Sequence, residues 1–135
     1  MEQAAWQEVE RLELRTQATP AAVQGVRRAV VDFAELHGVG VAPDVALAVS
    51  EAITNAVLHA YRGDDSGGPV RVVACAEPGR LVVVVRDYGC GMRPNPDSPG
   101  LGLGLSVIGR LATELNIERP DEGGGTRLRM CFANA

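Results

Sequence analysis

Apolar and polar positions along the chain change period several times, and each change marks an element. Arg11-Leu12-Glu13-Leu14-Arg15 alternates with period two, which predicts a strand with one buried face. Thr19-Pro20 follows, a hydroxyl placed to cap and a proline for the first helical turn. Val23, Val26, Val30 and Phe33 then recur at helical spacing, and Gly38 offers a stop. A second helix is expected from residue 43 to about 61, with Val45, Val49, Ala52, Ile53, Ala56, Val57 and Ala60 as its apolar stripe.

Residues 62–69 hold Asp64-Asp65-Ser66-Gly67-Gly68 and read as a loop. Residues 70–76 and 81–87 are β-branched runs joined by Glu77-Pro78-Gly79-Arg80, the pattern of a hairpin. Between 89 and 104, glycine and proline are frequent enough that no regular element is expected. A third helix is predicted over 105–115, a short strand over 116–118, a turn over 120–125 and a final alternating strand over 126–132. Strands joined by tight turns must run antiparallel. The expected architecture is therefore a single α+β domain over residues 1–135, with helices on one face of a mixed, mainly antiparallel sheet.

Composition narrows the function. Apolar residues make up 46% of the 135 and charged residues 22%, ordinary globular usage. The net charge of −4 argues against direct nucleic-acid binding, which needs a basic surface. Every basic residue is arginine, so a lysine phosphate clamp or lysine Schiff base is excluded. The opening MEQAAWQEVE lacks the basic start and apolar core of a signal peptide. No apolar run exceeds five residues, as at 81–85, which is far too short to cross a membrane. Cys75, Cys90 and Cys131 are isolated and odd in number, which suggests reduced thiols and a cytoplasmic protein.

Three clusters carry candidate chemistry. Glu51-Ala52-Ile53-Thr54-Asn55, with His59 beyond it, spaces Glu51, Asn55 and His59 by four, one polar stripe with steps of roughly 6 Å. An amide oxygen beside a carboxylate suits one hard cation and one general base. Taken alone, a solvated helix face explains this cluster better. Asp87-Tyr88-Gly89-Cys90-Gly91 ends an apolar run. A strand-end aspartate can accept from an exocyclic amine, and glycines admit a flat ring. An ordinary turn would also use Asp and Gly. Gly100-Leu101-Gly102-Leu103-Gly104-Leu105 opens a helix, where free amides and the dipole attract an anion. The regular leucines argue against a flexible linker. Chance alone would produce each pattern about 0.1 to 0.3 times, but all three in this order only about 0.001 times.

These clusters resemble the N, G1 and G2 boxes of the GHKL (histidine-kinase-like) ATPase superfamily, and Gly123-Gly124-Gly125-Thr126 resembles its G3 element. The resemblance runs from about residue 12 to 132. Glu51-Ala52-Ile53-Thr54-Asn55-Ala56 with His59-Ala60-Tyr61, and a short lid over about 89–104, are most similar to the anti-sigma-factor serine kinases. That likeness implies a Bergerat-type two-layer α/β sandwich binding ATP or ADP with Mg²⁺. Asn55 would hold the magnesium, and Glu51 would act as general base on a partner serine. Asp87 would read the adenine amino group, Gly89 and Gly91 would allow close approach, and Thr126 would assist through water. Gly100, Gly102 and Gly104 would cradle the phosphates. Arg93 and Arg110 are candidate γ-phosphate contacts, whereas His59 is expected to pack or hydrogen-bond.

The resemblance further implies a serine kinase that phosphorylates an anti-anti-sigma protein and sequesters a sigma factor. It also implies a homodimer, with the strand around Leu12 and Leu14 and the first helix as contact elements. The alternative is a nucleotide-gated anti-sigma binding module without kinase activity, which would have no need of a base at Glu51. A detached histidine-kinase catalytic domain is disfavoured by the short lid.

Overall fold

Gly79, with φ of 77°, turns the chain between β2 (Pro69–Glu77) and β3 (Arg80–Asp87), the β-branched runs of the expected hairpin. The computed structural model describes residues 10–37, 40, 42–60, 67–89, 99–120 and 124–133, with backbone alone at 59 and 99–104. β1 (Glu10–Gln17) lies along β2 on one side. β5 (Thr126–Ala133) lies along β3, and β4 (Glu114–Glu118) closes the far edge. The order is β1-β2-β3-β5-β4, and all four pairings are antiparallel.

Three helices cover one face: α1 (Pro20–Leu36), α2 (Ala42–Asn55) and α3 (Pro99–Leu111). Alternation turns Val72, Val83, Val85, Leu128, Met130 and Phe132 toward them, against Val30, Val49, Ile53 and Ile108. This is the α+β two-layer sandwich expected from the sequence. Truncating one of these fully buried side chains to alanine costs about 2–5 kcal/mol.

Three local expectations need correction. Thr19 makes no side-chain cap; its carbonyl accepts from Ala22 N–H at 3.0 Å, and Pro20 contributes a preset φ. The third helix starts at Pro99, six residues before the expected 105, so residues 99–104 are helical and not irregular. Proline at the first helical position offsets the weak propensity of the glycines that follow. That helix also stops at Leu111. Thr113 N–H donates to the Cys131 carbonyl at 2.7 Å and the Thr113 hydroxyl accepts from Ala133 N–H at 2.9 Å, drawing the chain into β4. Leu115 therefore lies opposite Met130 in the sheet.

The second helix also departs from regularity. α2 ends at Asn55 and continues as one π-helical turn, Ala56–Ala60. A widened turn of this kind breaks the four-residue repeat and is frequent at functional sites.

Candidate functional site

Asp87 is the last residue of β3, on the side facing the helices, and its cross-strand partner is Thr126, the first residue of β5. Both are buried. Asp87 Oδ1 accepts from Gly89 N–H at 3.1 Å and from Thr126 N–H at 3.2 Å. Oδ2 takes neither bond. Burial pushes the Asp87 carboxyl above its ordinary pKa, against the pull of these two N–H groups and of the Arg86 charge. A desolvated carboxylate with an oxygen outside its backbone bonds is a strong acceptor for an N–H donor.

Two glycines fix this carboxylate. Gly125 has φ of 79°, and a Cβ there would overlap the Asp87 carbonyl oxygen. At Gly89 a Cβ would overlap the carbonyl oxygen of Ala60. Gly89 therefore serves first to let the end of β3 touch the π-helical turn, a structural need beside any contact with a ring. The sequence marks Ala60 only as an apolar position of the second helix, because its contact with Gly89 is made by a backbone oxygen.

That contact ties the Asp87 corner to the end of α2, where Asn55 lies about 7 Å back along the axis. Asn55 is 3% exposed, and its Nδ2 has no hydrogen-bond partner. A buried amide without a partner costs about 1–3 kcal/mol, so the fold holds a polar group that it does not satisfy itself. Glu51, half-buried, sits one turn earlier in the regular part of α2 and shares the Asn55 side of the helix. His59 falls in the π-helical turn, and its side chain lies outside the described atoms.

The glycines of the third cluster enter at the other end of the fold. Gly100 lies in the first turn of α3, where backbone N–H groups lack an internal acceptor; Gly102 and Gly104 follow within the helix. Gly91 and Arg93 lie outside the described residues. Arg110 is exposed in the last turn of α3, about 12 Å along the axis from Gly102.

The donor set fits a magnesium-bound nucleotide. Among the described residues no three His, Cys, Asp or Glu side chains form a metal cluster. A magnesium ion would instead take the Asn55 amide oxygen together with phosphate oxygens. The Asp87 carboxylate suits an exocyclic amine, and first-turn amides of α3 suit phosphate.

Residues 16–132 match the model of the histidine kinase-like ATPase domain. The chain belongs to this family. It is 35% identical over 98 residues to the anti-sigma F factor of Clostridium acetobutylicum, covering 64% of this chain and 66% of that protein. It is 32% identical over 115 residues to the serine-protein kinase RsbW of Bacillus licheniformis, covering 84% and 67%. The match thus spans about two thirds of each relative's length. Among solved structures, the histidine kinase domain from the Erythrobacter litoralis EL346 blue-light activated histidine kinase superposes with a TM-score of 0.58 at 27% identity. That match covers 84% of this chain and 60% of the other. Family membership fixes a kinase-like, nucleotide-binding domain. Among the described residues no helix is long and apolar enough to cross a membrane.

Proposed function

We propose that the protein is a cytoplasmic, ATP-dependent serine kinase that also acts as an anti-sigma factor. Its substrate is an anti-anti-sigma protein, and its second partner is a sigma factor. Similarity to an anti-sigma F factor and to a serine-protein kinase supports both halves of this reading. The observation that carries it is the buried Asn55 Nδ2, a donor without a partner that suits a phosphate oxygen, one turn after Glu51. Such a group is held for a ligand, and a carboxylate beside it is in reach of a reacting hydroxyl.

In this reading residues 1–135 form one domain, with 89–104 as the lid. Asp87 binds the adenine amino group, Thr126 supports it through water, and Gly89 and Gly91 border the ring. Gly100, Gly102 and Gly104 border the phosphates, and Asn55 holds Mg²⁺. The magnesium, when bound, neutralises phosphate charge. Glu51 accepts the proton of the partner's serine hydroxyl as its oxygen bonds to the γ-phosphorus. The bond from that phosphorus to the β-phosphate oxygen breaks, and ADP leaves. Positioning and charge neutralisation supply most of such a catalytic effect, so one base suffices. The active unit is a homodimer, with β1 and α1 as contact elements.

Glu51→Gln tests the assignment. With labelled ATP and a candidate anti-anti-sigma substrate, transfer should fall by about 10²–10⁴-fold while nucleotide affinity holds within about twofold. The phosphoprotein made by the wild type should survive acid and be lost in base. Full transfer by the variant removes Glu51 as base. Nucleotide binding without transfer by the wild type makes the protein a nucleotide-gated binding module.

A further inference from the structure

The sheet face turned away from the helices carries a pattern that the nucleotide site does not use. Arg15 lies opposite Arg71, Arg71 opposite Arg86, and Arg86 opposite Arg127. Four arginines therefore stand side by side across β1, β2, β3 and β5. At a strand spacing of about 4.8 Å the row is about 14 Å long. Like charges directly opposite one another destabilise a sheet, so the row works against the fold that displays it.

Its two ends are clamped. Glu13 accepts from Arg71 Nε at 2.9 Å and from Arg15 at 3.4 Å, and Glu118 accepts from Arg127 Nε at 3.2 Å. Near the middle, the Arg86 guanidinium sits 4.6 Å above the centre of the Tyr88 ring. The next row along the strands is apolar at its centre, where Val73 faces Val84, both half-buried. A cavity of about 300 Å³, lined by Arg15, Pro69, Val70, Arg71 and Tyr88, opens at one end. Arginines outnumber glutamates on this face, although the whole chain carries a net charge of −4.

We propose that this face docks an amphipathic helix of a partner protein, laid across the strands. An acidic stripe would rest on the arginine row and the adjoining apolar positions on Val73 and Val84. Helix residues three or four apart are about 5–6 Å apart, close to the spacing of the row. An extended peptide repeats each side every ~6.7 Å and loses register within three steps. A nucleic-acid backbone would meet Glu13 and Glu118 with like charge, whereas a short acidic stripe fits between them. Arginine and tyrosine beside desolvated apolar side chains are the usual anchors of such contacts.

The test uses the full chain and a fluorescein-labelled helical peptide with glutamate at every fourth position beside a leucine stripe. Its controls are a peptide of scrambled order and a short oligothymidylate. The helical peptide should bind saturably. Arg71→Gln with Arg86→Gln should weaken it at least about tenfold while nucleotide affinity and thermal midpoint stay near wild type. Glu13→Gln, which releases the Arg71 clamp, should tighten it about two- to fivefold, a gain that damaged folding cannot mimic. Equal binding of the scrambled peptide or oligothymidylate overturns the proposal, as does wild-type affinity in the double variant. A wild-type dimer in sedimentation that the double variant converts to monomer also overturns it, by seating a second copy on the face.

Discussion

The two faces of the sheet are built from the same strands yet treat charge in opposite ways. On the helix-covered face, the charged group Asp87 stands at the end of a run of apolar residues. Burial raises its pKa. Any stability that follows from protonation is therefore present below the ordinary carboxylate range and is lost as pH rises through the raised value. At neutral pH the buried charge opposes folding. On the open face, Glu13 is pulled below its ordinary value, first by the hydrogen bond from Arg71 and then by the charges of Arg71, Arg11 and Arg15. Its contribution is present above the ordinary value and lost as pH falls through the lowered one, and solvent screening keeps it small. The covered face thus retains a charge that weakens the fold, whereas the open face spreads charges that cost little individually. Strain that a fold maintains in a cleft points to a ligand.

The sharpest way to break this contrast is Gly89→Ala. The added methyl overlaps the Ala60 carbonyl, so the variant should lose about 3 kcal/mol and roughly 10 °C in thermal midpoint, with nucleotide binding abolished. A near-wild-type melting curve would show that the π-helical turn yields easily. Asn55→Ala should separate function from stability. Calorimetry should give nucleotide affinity lower by at least about 100-fold, while removal of the unpartnered amide offsets the small cavity to within about 1 kcal/mol. Asp87→Asn keeps an oxygen for Gly89 and Thr126 but removes the buried charge. The ligand-free protein should melt about 2–4 °C higher at pH 7, with the gain shrinking toward pH 4, and adenine nucleotides should bind at least about tenfold more weakly. The smallest effect belongs to the open face. Arg15→Ala, at a side chain 79% exposed, should change unfolding free energy by less than about 0.5 kcal/mol in denaturant titration.

Much of this arrangement was legible from residue patterns. Period-two alternation marks β1 and β5, β-branched runs mark β2 and β3, and the β2–β3 turn follows from Pro78-Gly79. Asp87, Asn55 and Thr126 were singled out, and the structure places Asp87 and Thr126 opposite one another. Less visible were features set by distant partners. The pairing of β3 with β5 joins residues 39 to 53 positions apart, a separation that local periodicity does not encode. The π-helical turn after Asn55 lies where Ala60 meets Gly89, so the helix expected to run regularly to about residue 61 widens at a place that only a distant contact marks. Glycine composition pointed to an irregular segment over 99–104, but proline at the first helical position starts α3 there. The arginine row emerges only once four strands are in register, since its members are scattered from residue 15 to 127.

The placement of β5 between β3 and β4 has a temporal consequence. Asp87 acquires its Thr126 donor only when the last described strand inserts beside β3. A chain growing on the ribosome has already made both α2 and the aspartate, yet it lacks the second N–H that orients the carboxylate. The carboxylate therefore gains its second donor only after residue 126 has been made and β5 has docked, and a chain that has reached β3 but not β5 holds the aspartate by the Gly89 N–H alone.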